Sequence, residues 1–110
     1  MQTVLQAISE PHRRKILELV RDRELGAGEI AAQFDVTRPA ISQHLTVLKQ
    51  AGLVNERRQG TRRLYRARPE GLAELRSFLD GFWEESLDRL KAAAEQEQRK
   101  GRLARAAKRN

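Results

Sequence analysis

Residues 37–68 read TRPAISQHLTVLKQAGLVNERRQGTRRLYRAR, and this stretch decides both the fold and the chemistry of the chain. Its first half predicts a helix over residues 38–50, because Thr37 is suited to cap it and Gly52 to end it. Its second half predicts two strands joined at Gly60, because β-forming residues flank a glycine-containing turn. The stretch carries eight Lys/Arg and one acid, so its net charge is about +7. A polar helix beside a basic hairpin is suited to a polyanion such as duplex DNA.

The composition limits the class of protein. At 110 residues, the chain is long enough for one domain with a modest core. Aromatic residues make up only 5%, which favours a core completed by oligomerisation. The absence of cysteine excludes disulfides, thiolate metal ligands and cysteine nucleophiles. No apolar run of membrane-spanning length and no signal peptide is recognisable, so we expect a cytoplasmic protein that makes no membrane contact.

Charge is segregated along the chain. Residues 1–36 have a net charge of −1, residues 37–68 of +7, residues 69–98 of −5 and residues 99–110 of +6. Such a layout suits one face that binds a polyanion and another face that makes a different contact.

Apolar spacing predicts helices on both sides of the central stretch. Upstream, we expect a short helix over residues 4–8, a helix that Ser9 caps and that runs to about Arg21, and a short helix over residues 29–34. Downstream, a long helix is expected over residues 70–98.

The predicted order is α-α-α-α-β-β-α, a mainly α fold with a small β-hairpin (α+β). This is the order of a winged helix-turn-helix. We expect one DNA-binding and dimerisation domain over residues 1–97, followed by a basic, disordered tail over residues 98–110.

Specific motifs strengthen this interpretation. The run EIAAQFDVTRPAISQHLTVLKQAGLV (29–54), followed by RRQGTRRLYRA (57–67), resembles the DNA-binding core of the ArsR/SmtB family of bacterial repressors. The run LQAISEPHRRKILELV (5–20) resembles the first two helices of that family, and the resemblance covers residues 3–92. It implies a DNA-binding transcriptional regulator.

The polar side of the predicted central helix carries residues that can contact DNA. At 100° per residue, Ile41, Leu45 and Leu48 share the inner face, and polar residues lie opposite. Among these, Gln43 can pair bidentately with adenine. His44 lies at the edge of the inner face, where it contacts a phosphate or braces the helix against the hairpin. The predicted DNA-binding residues of this helix and its N-terminal end are Thr37, Arg38, Pro39, Ser42, Gln43, His44, Thr46 and Lys49.

The hairpin over residues 53–68 carries six arginines and one glutamate, which is too one-sided for charge that serves solubility alone. Arginines near its tip can reach phosphates or a narrow minor groove. Because phosphate contacts position a protein rather than specify a sequence, no base specificity is expected here. The predicted DNA-binding residues of the hairpin are Arg57, Arg58, Arg62, Arg63 and Arg66.

The resemblance also implies a homodimer that forms through the first and last helices. The alternative is that their apolar residues serve only a core within one chain. In a two-fold dimer, the central helices would lie about 34 Å apart and would bind a palindromic operator. The predicted interface residues are Val4, Leu5, Ile8, Leu79, Phe82, Trp83, Leu87 and Leu90.

Many members of the family hold a metal ion, either on the last helix with Asp and His or near the central helix with cysteines. This chain has no cysteine, and its only histidines, His12 and His44, fit neither pattern. We therefore expect no metal and no cofactor, and the sequence does not indicate an inducer. No nucleophile is paired with a base and no Gly-rich loop precedes a helix, so an enzyme is not expected.

Three functions remain open from the sequence. The first is a homodimeric repressor that binds a palindrome with the helix 38–50 in the major groove and the hairpin 53–68 on the backbone or minor groove. The second is an architectural protein that binds DNA with little sequence preference. The third is a winged helix that binds a protein or a ligand, with the basic surface incidental.

Overall fold

The computed structural model describes the backbone of residues 1–108 and the side chains of residues 1–103. The helices are α1 (Gln2–Ile8), α2 (Pro11–Leu19), α3 (Ala27–Ala31), α4 (Arg38–Gln50) and α5 (Ala73–Lys108). The strands are β1 (Leu25–Gly26), β2 (Val54–Gln59) and β3 (Arg62–Ala67), and a 3₁₀ turn covers Pro69–Leu72. The chain divides into two units, one from Met1 to Leu75 and one from Arg76 onward.

The predicted hairpin is confirmed, and β2 and β3 pair antiparallel from Val54 opposite Ala67 to Gln59 opposite Arg62. A two-residue connection joins them, and its first residue, Gly60, has φ of 63°, a conformation that glycine adopts without strain. We call residues 54–67 the wing.

A third strand was not predicted. The two-residue strand β1 pairs with β3 on the side away from β2, so the strand order is β1-β3-β2. In the sequence, Leu25-Gly26 indicates only the end of a helix. Two residues are too few to show the alternation of apolar and polar side chains that indicates a strand. The strand matters for function because it attaches the wing to the segment that precedes α3.

The core of the first unit lies between α2, α3, α4 and the sheet. The inner face predicted for α4 is confirmed, since Ile41, Leu45 and Leu48 are buried. They pack with Ile16 of α2 and Ile30 of α3. Each such side chain contributes about 1.5–3 kcal/mol by leaving water, so this packing holds α4 in one orientation.

The start of α4 also follows the prediction. Thr37 accepts a hydrogen bond from the Ala40 backbone N–H at 3.3 Å, and Pro39 lies in the first turn. Its end at Ala51 and Gly52 is confirmed as well. The bounds of α4 are therefore determined by local sequence.

The predicted cap of α2 is wrong. Glu10, not Ser9, is the N-cap, and its carboxylate accepts the Arg13 backbone N–H at 3.0 Å. Ser9 instead donates its hydroxyl to the Gln6 carbonyl oxygen at 2.7 Å at the end of α1. A carboxylate is favoured at the positive end of a helix because its charge strengthens the hydrogen bond.

The connection after β3 is close-packed. The Arg68 backbone N–H donates to the Leu53 carbonyl oxygen at 2.7 Å. The Ala67 backbone N–H donates to the Val20 carbonyl oxygen at 2.9 Å. Gly71 packs against Gly52 so closely that a β-carbon on it would overlap the Gly52 carbonyl oxygen. A 3₁₀ turn covers Pro69–Leu72 and α5 begins at Ala73, whereas the sequence predicted that the last helix begins at residue 70.

The second unit is the part of α5 from Arg76 onward. The helix continues to Lys108, whereas the sequence predicted a disordered tail over residues 98–110, of which 109–110 lie outside the described backbone. The tail contains several alanines, which favour helix even without a core. The domain boundary near residue 97 stays a prediction. Within residues 1–108, no helix combines the length and apolar character needed to cross a membrane.

Candidate nucleic-acid interface

The outer face of α4 is exposed and almost uncharged. Ser42, Gln43 and Thr46 are all exposed, as the predicted helix orientation requires. The Thr46 hydroxyl donates to the Ser42 carbonyl oxygen at 2.9 Å, so its methyl group is the part left for outside contact. Hydrogen-bonding side chains without net charge are suited to base edges in a major groove. The predicted residues at the N-terminal end, Thr37, Arg38 and Pro39, are exposed as well.

A groove of about 450 Å³ separates α4 from the wing. Three cationic residues, Arg38, Lys49 and Arg63, line it together with a single acid, Glu56. The lining is therefore net positive and lies beside the uncharged face of α4. Such a groove suits a phosphate backbone, which binds to positive side chains irrespective of sequence.

Glu56 links α4 to the base of the wing. Its carboxylate accepts the Tyr65 hydroxyl at 3.0 Å and lies 3.6 Å from the Lys49 ammonium. Burial, followed by this hydrogen bond, raises the pKa of Tyr65, so the hydroxyl stays a donor at neutral pH. Lys49, which was predicted to contact DNA, thus has an intramolecular partner on the wing.

Two of the five predicted wing arginines are bound to acids far away in the sequence. The Arg57 guanidinium donates to both oxygens of Glu24, at 2.9 and 3.0 Å. This pairing lowers the pKa of Glu24 and raises that of Arg57. Arg62 pairs with Glu29, which also accepts the Gly26 backbone N–H at 3.2 Å. Both pairs join residues 33 positions apart, and they fasten the wing to the segment around β1 and α3.

The other predicted wing arginines are differently placed. Arg58, Arg63 and Arg66 are exposed and form no salt bridge with any described residue. The neighbours Leu64 and Tyr65 are both buried, although they lie next to each other on the central strand of the sheet. All five predicted wing arginines are therefore exposed, and two of them, Arg57 and Arg62, are held in ion pairs.

His44 faces α2 rather than the outer side of α4 or the wing. Its Nδ1 lies 3.3 Å from the Arg13 guanidinium, and its Nε2 lies 3.8 Å from the Glu10 carboxylate. Its ring stacks on that of His12 with centroids 5.7 Å apart. Of the two roles expected from the sequence, the structure supports bracing, but against α2 instead of the wing. The predicted DNA contact of His44 stays a prediction.

The fold thereby assembles a group that sequence reasoning missed. One possible ligand atom from each of Glu10, His12 and His44 lies within 4.8 Å of the others. His44 is far from Glu10 and His12 in the sequence, so no local pattern indicates the group. The only available signal was that α2 and α4 pack side by side in the predicted fold.

The residues predicted for a dimer interface are partly or fully exposed. On α1, Leu5 is exposed, and Val4 and Ile8 are half-buried. On α5, Phe82 and Trp83 are each 64% exposed, and the described side chains along the same helix include other large apolar residues open to solvent. Phe78, which the prediction omitted, is also exposed and lies one turn before Phe82. The exposed apolar residues of α5 are Phe78, Leu79, Phe82, Trp83, Leu87, Leu90 and Leu103.

Comparison with known proteins gives the class. A family model for bacterial regulatory proteins of the arsR family matches residues 10–56. HTH-type transcriptional regulator Rv2034 of Mycobacterium tuberculosis is 50% identical over 82 residues, which cover 74% of this chain and 77% of that protein. Transcriptional repressor SdpR of Bacillus subtilis is 47% identical over 60 residues, which cover 54% of this chain and 67% of that protein.

A solved structure matches in fold as well. The homodimeric winged helix-turn-helix DNA-binding domain of Mb0332 from Mycobacterium bovis, a possible ArsR-family regulator, superposes with a TM-score of 0.61. It is 32% identical, and the match covers 76% of this chain and 78% of that chain.

The fold, the exposed face of α4 and these likenesses define a winged helix-turn-helix transcriptional regulator that binds DNA. The chain belongs to the arsR family of bacterial regulatory proteins. Members of this class are regulators and not enzymes, as the sequence indicated.

Proposed function

We propose that the protein is a homodimeric repressor that binds a palindromic operator. The observation that carries the proposal is the pairing of an uncharged, hydrogen-bonding face on α4 with a cationic wing. Base edges and phosphates require these two different surfaces. The relatives add support, since SdpR is a repressor and the Mb0332 domain is a homodimer.

On α4, Gln43 and Ser42 would read base edges in the major groove, and the Thr46 methyl group would contact a thymine methyl. All three are exposed, and α4 is held by its buried face. A rigid helix fixes these side chains relative to the bases, which is a condition for discrimination between sequences. Thr37, Arg38 and Pro39 would lie at the positive helix end, close to a phosphate.

On the wing, Arg58, Arg63 and Arg66 would contact phosphates or the minor groove, because they have no salt-bridge partner among the described residues. Arg57 and Arg62 would chiefly position the wing through Glu24 and Glu29. This division refines the prediction that all five arginines contact DNA.

The dimer would form through the apolar side of α5, with α1 contributing. Phe82 and Trp83 expose most of their surface on a single helix, and a contiguous apolar patch of this kind marks an interaction site. A second copy offers the same apolar surface and generates two-fold symmetry, which matches a palindrome. A protein that represses bacterial genes would act in the cytoplasm.

Selection of bound duplexes from a random pool, followed by footprinting, tests the proposal. We expect an inverted repeat whose half-sites are centred about one helical turn apart, roughly 34 Å. Recovery of sequences without any common half-site would contradict it and would favour the sequence-tolerant architectural protein.

A further inference from the structure

We propose that Glu10, His12 and His44 form a binding site for a divalent late transition-metal cation such as Zn²⁺. Oε1 of Glu10 lies 2.7 Å from Nδ1 of His12, and Oε2 lies 3.8 Å from Nε2 of His44. Four ligands bonded at about 2.0–2.2 Å to a tetrahedral zinc ion lie roughly 3.4 Å from one another. The three ligand atoms lie within 4.8 Å of one another, so side-chain rotations that also turn the two imidazoles out of their near-parallel stack would bring all three groups to one cation.

The chemistry of the ligand set suits such a cation. Two imidazoles and one carboxylate bind zinc in open three-ligand sites, in which water takes the fourth position. Imidazole also selects late first-row metals over magnesium and calcium, which prefer oxygen ligands. His12 lines an open cavity of about 430 Å³ together with Lys15, Phe34 and Asp35, so a hydrated ion can reach the ring from solvent.

Arg13 competes with the cation for His44. Its guanidinium donates to the carbonyl oxygens of Ala7 at 2.6 Å and Gln6 at 3.1 Å, and it also meets Nδ1 of His44. A guanidinium can only donate, so Nδ1 accepts and Nε2 carries the proton of the neutral ring. A cation on Nε2 would shift that proton to Nδ1 and break the contact between Arg13 and His44.

Binding of the cation would thus replace the contact between His44 and Arg13 by a metal-mediated contact of His44 with Glu10 and His12. In the free chain, Arg13 connects His44 to the end of α1. With a cation bound, Glu10 and His12 would connect His44 to the first turn of α2. Since α4 carries the side chains proposed to read bases, the site would lie directly behind the DNA-binding face.

Zinc titration of the tag-free full chain by calorimetry, without DNA, tests the site. We expect one Zn²⁺ per chain, and we expect His12→Gln and Glu10→Gln each to weaken binding by about tenfold or more. Asp88→Asn, which removes an exposed carboxylate from α5, should leave the affinity unchanged. Circular dichroism confirms that each variant is folded. Wild-type affinity in folded His12→Gln would overturn the proposal.

Nitrogen-15 NMR gives an independent readout, because the chain has only two histidines. Zinc should shift Nδ1 of His12 and Nε2 of His44, and the proton of His44 should move to Nδ1. Unshifted ring nitrogens at saturating zinc would show that the ion binds elsewhere. Neither measurement involves DNA, so a negative result here leaves the proposed operator binding untouched.

Discussion

At the scale of single residues, α4 presents two kinds of side chain on opposite sides. Ile41, Leu45 and Leu48 are buried, while Gln43 and Thr46 are exposed. Substitutions on the outer side therefore test DNA contacts without removing core packing.

Gln43→Ala should weaken binding to the selected operator by about 1–3 kcal/mol and relax the preference at one base-pair position. The physical reason is the loss of a bidentate pair to an adenine edge. Fluorescence anisotropy with operators carrying each base at that position measures both effects. Gln33→Ala, at an exposed position outside α4, is the matched control. Unchanged affinity and preference in Gln43→Ala would show that another side chain reads the bases.

The ion pair between Arg57 and Glu24 predicts that removal of either partner changes DNA affinity in the same direction. Both Arg57→Ala and Glu24→Gln should weaken DNA binding, because each breaks the same attachment of the wing. If the pair had no positioning role, removal of the acidic Glu24 would strengthen binding to a polyanion. Anisotropy titrations of the two variants distinguish these outcomes. Arg63→Ala serves for comparison, since it should lower the salt slope by about 0.9 through loss of one phosphate contact.

The free energy of unfolding at acidic pH should depend on the ionisation of Glu10. Its pKa in the folded chain lies below the ordinary value of 4.5, so the carboxylate stabilises the fold. This stabilisation is fully present at pH values above the pKa of Glu10 in the unfolded chain. It is lost as the pH falls through the pKa of Glu10 in the folded chain. With a chelator present, Glu10→Ala should cost about 1 kcal/mol at neutral pH, the usual value of a helix cap. Urea unfolding should show the difference disappearing below pH 4.5, and a constant difference would contradict this account.

At the scale of elements, α5 carries most of the large apolar residues that are open to solvent among the described side chains. Phe82 and Trp83 are each 64% exposed, whereas the apolar face of α4 is buried within the first unit. A helix with such a face has an energetic reason to associate.

Trp83→Ala should weaken self-association by about 2 kcal/mol or more, which is roughly a 30-fold increase in the dissociation constant. The side chain is exposed in the single chain, so the variant should keep its fold. Sedimentation equilibrium measures the change. Asp88→Asn on the same helix is the control. If Trp83→Ala dimerises as strongly as the wild type, the interface lies elsewhere.

The same elements show how far sequence reasoning extends. The bounds and inner face of α4 were predictable because Thr37, the 3.6-residue period and Gly52 are all local signals. The strand β1 was not, because two residues carry no period and pairing with Leu64 and Tyr65 depends on tertiary structure. The cap of α2 was misplaced because Ser9 and Glu10 both offer an oxygen, and the competition is decided in three dimensions.

At the scale of the whole chain, residue types were predictable but their partners were not. The excess of arginine in the wing indicated DNA from sequence alone. That Arg57 and Arg62 pair with Glu24 and Glu29 required the sheet, which brings together residues 33 positions apart. The group around His44 likewise depends on the packing of α2 against α4.

The positions of the aromatic residues make two events separately observable. The chain has one tryptophan and one tyrosine. Trp83 is mostly exposed on α5, so its emission should move to shorter wavelength when a second copy covers it. Tyr65 is buried with its hydroxyl on Glu56, so its ultraviolet absorbance should change when the first unit unfolds. Intrinsic optical signals would therefore report association and unfolding of the first unit without any attached dye.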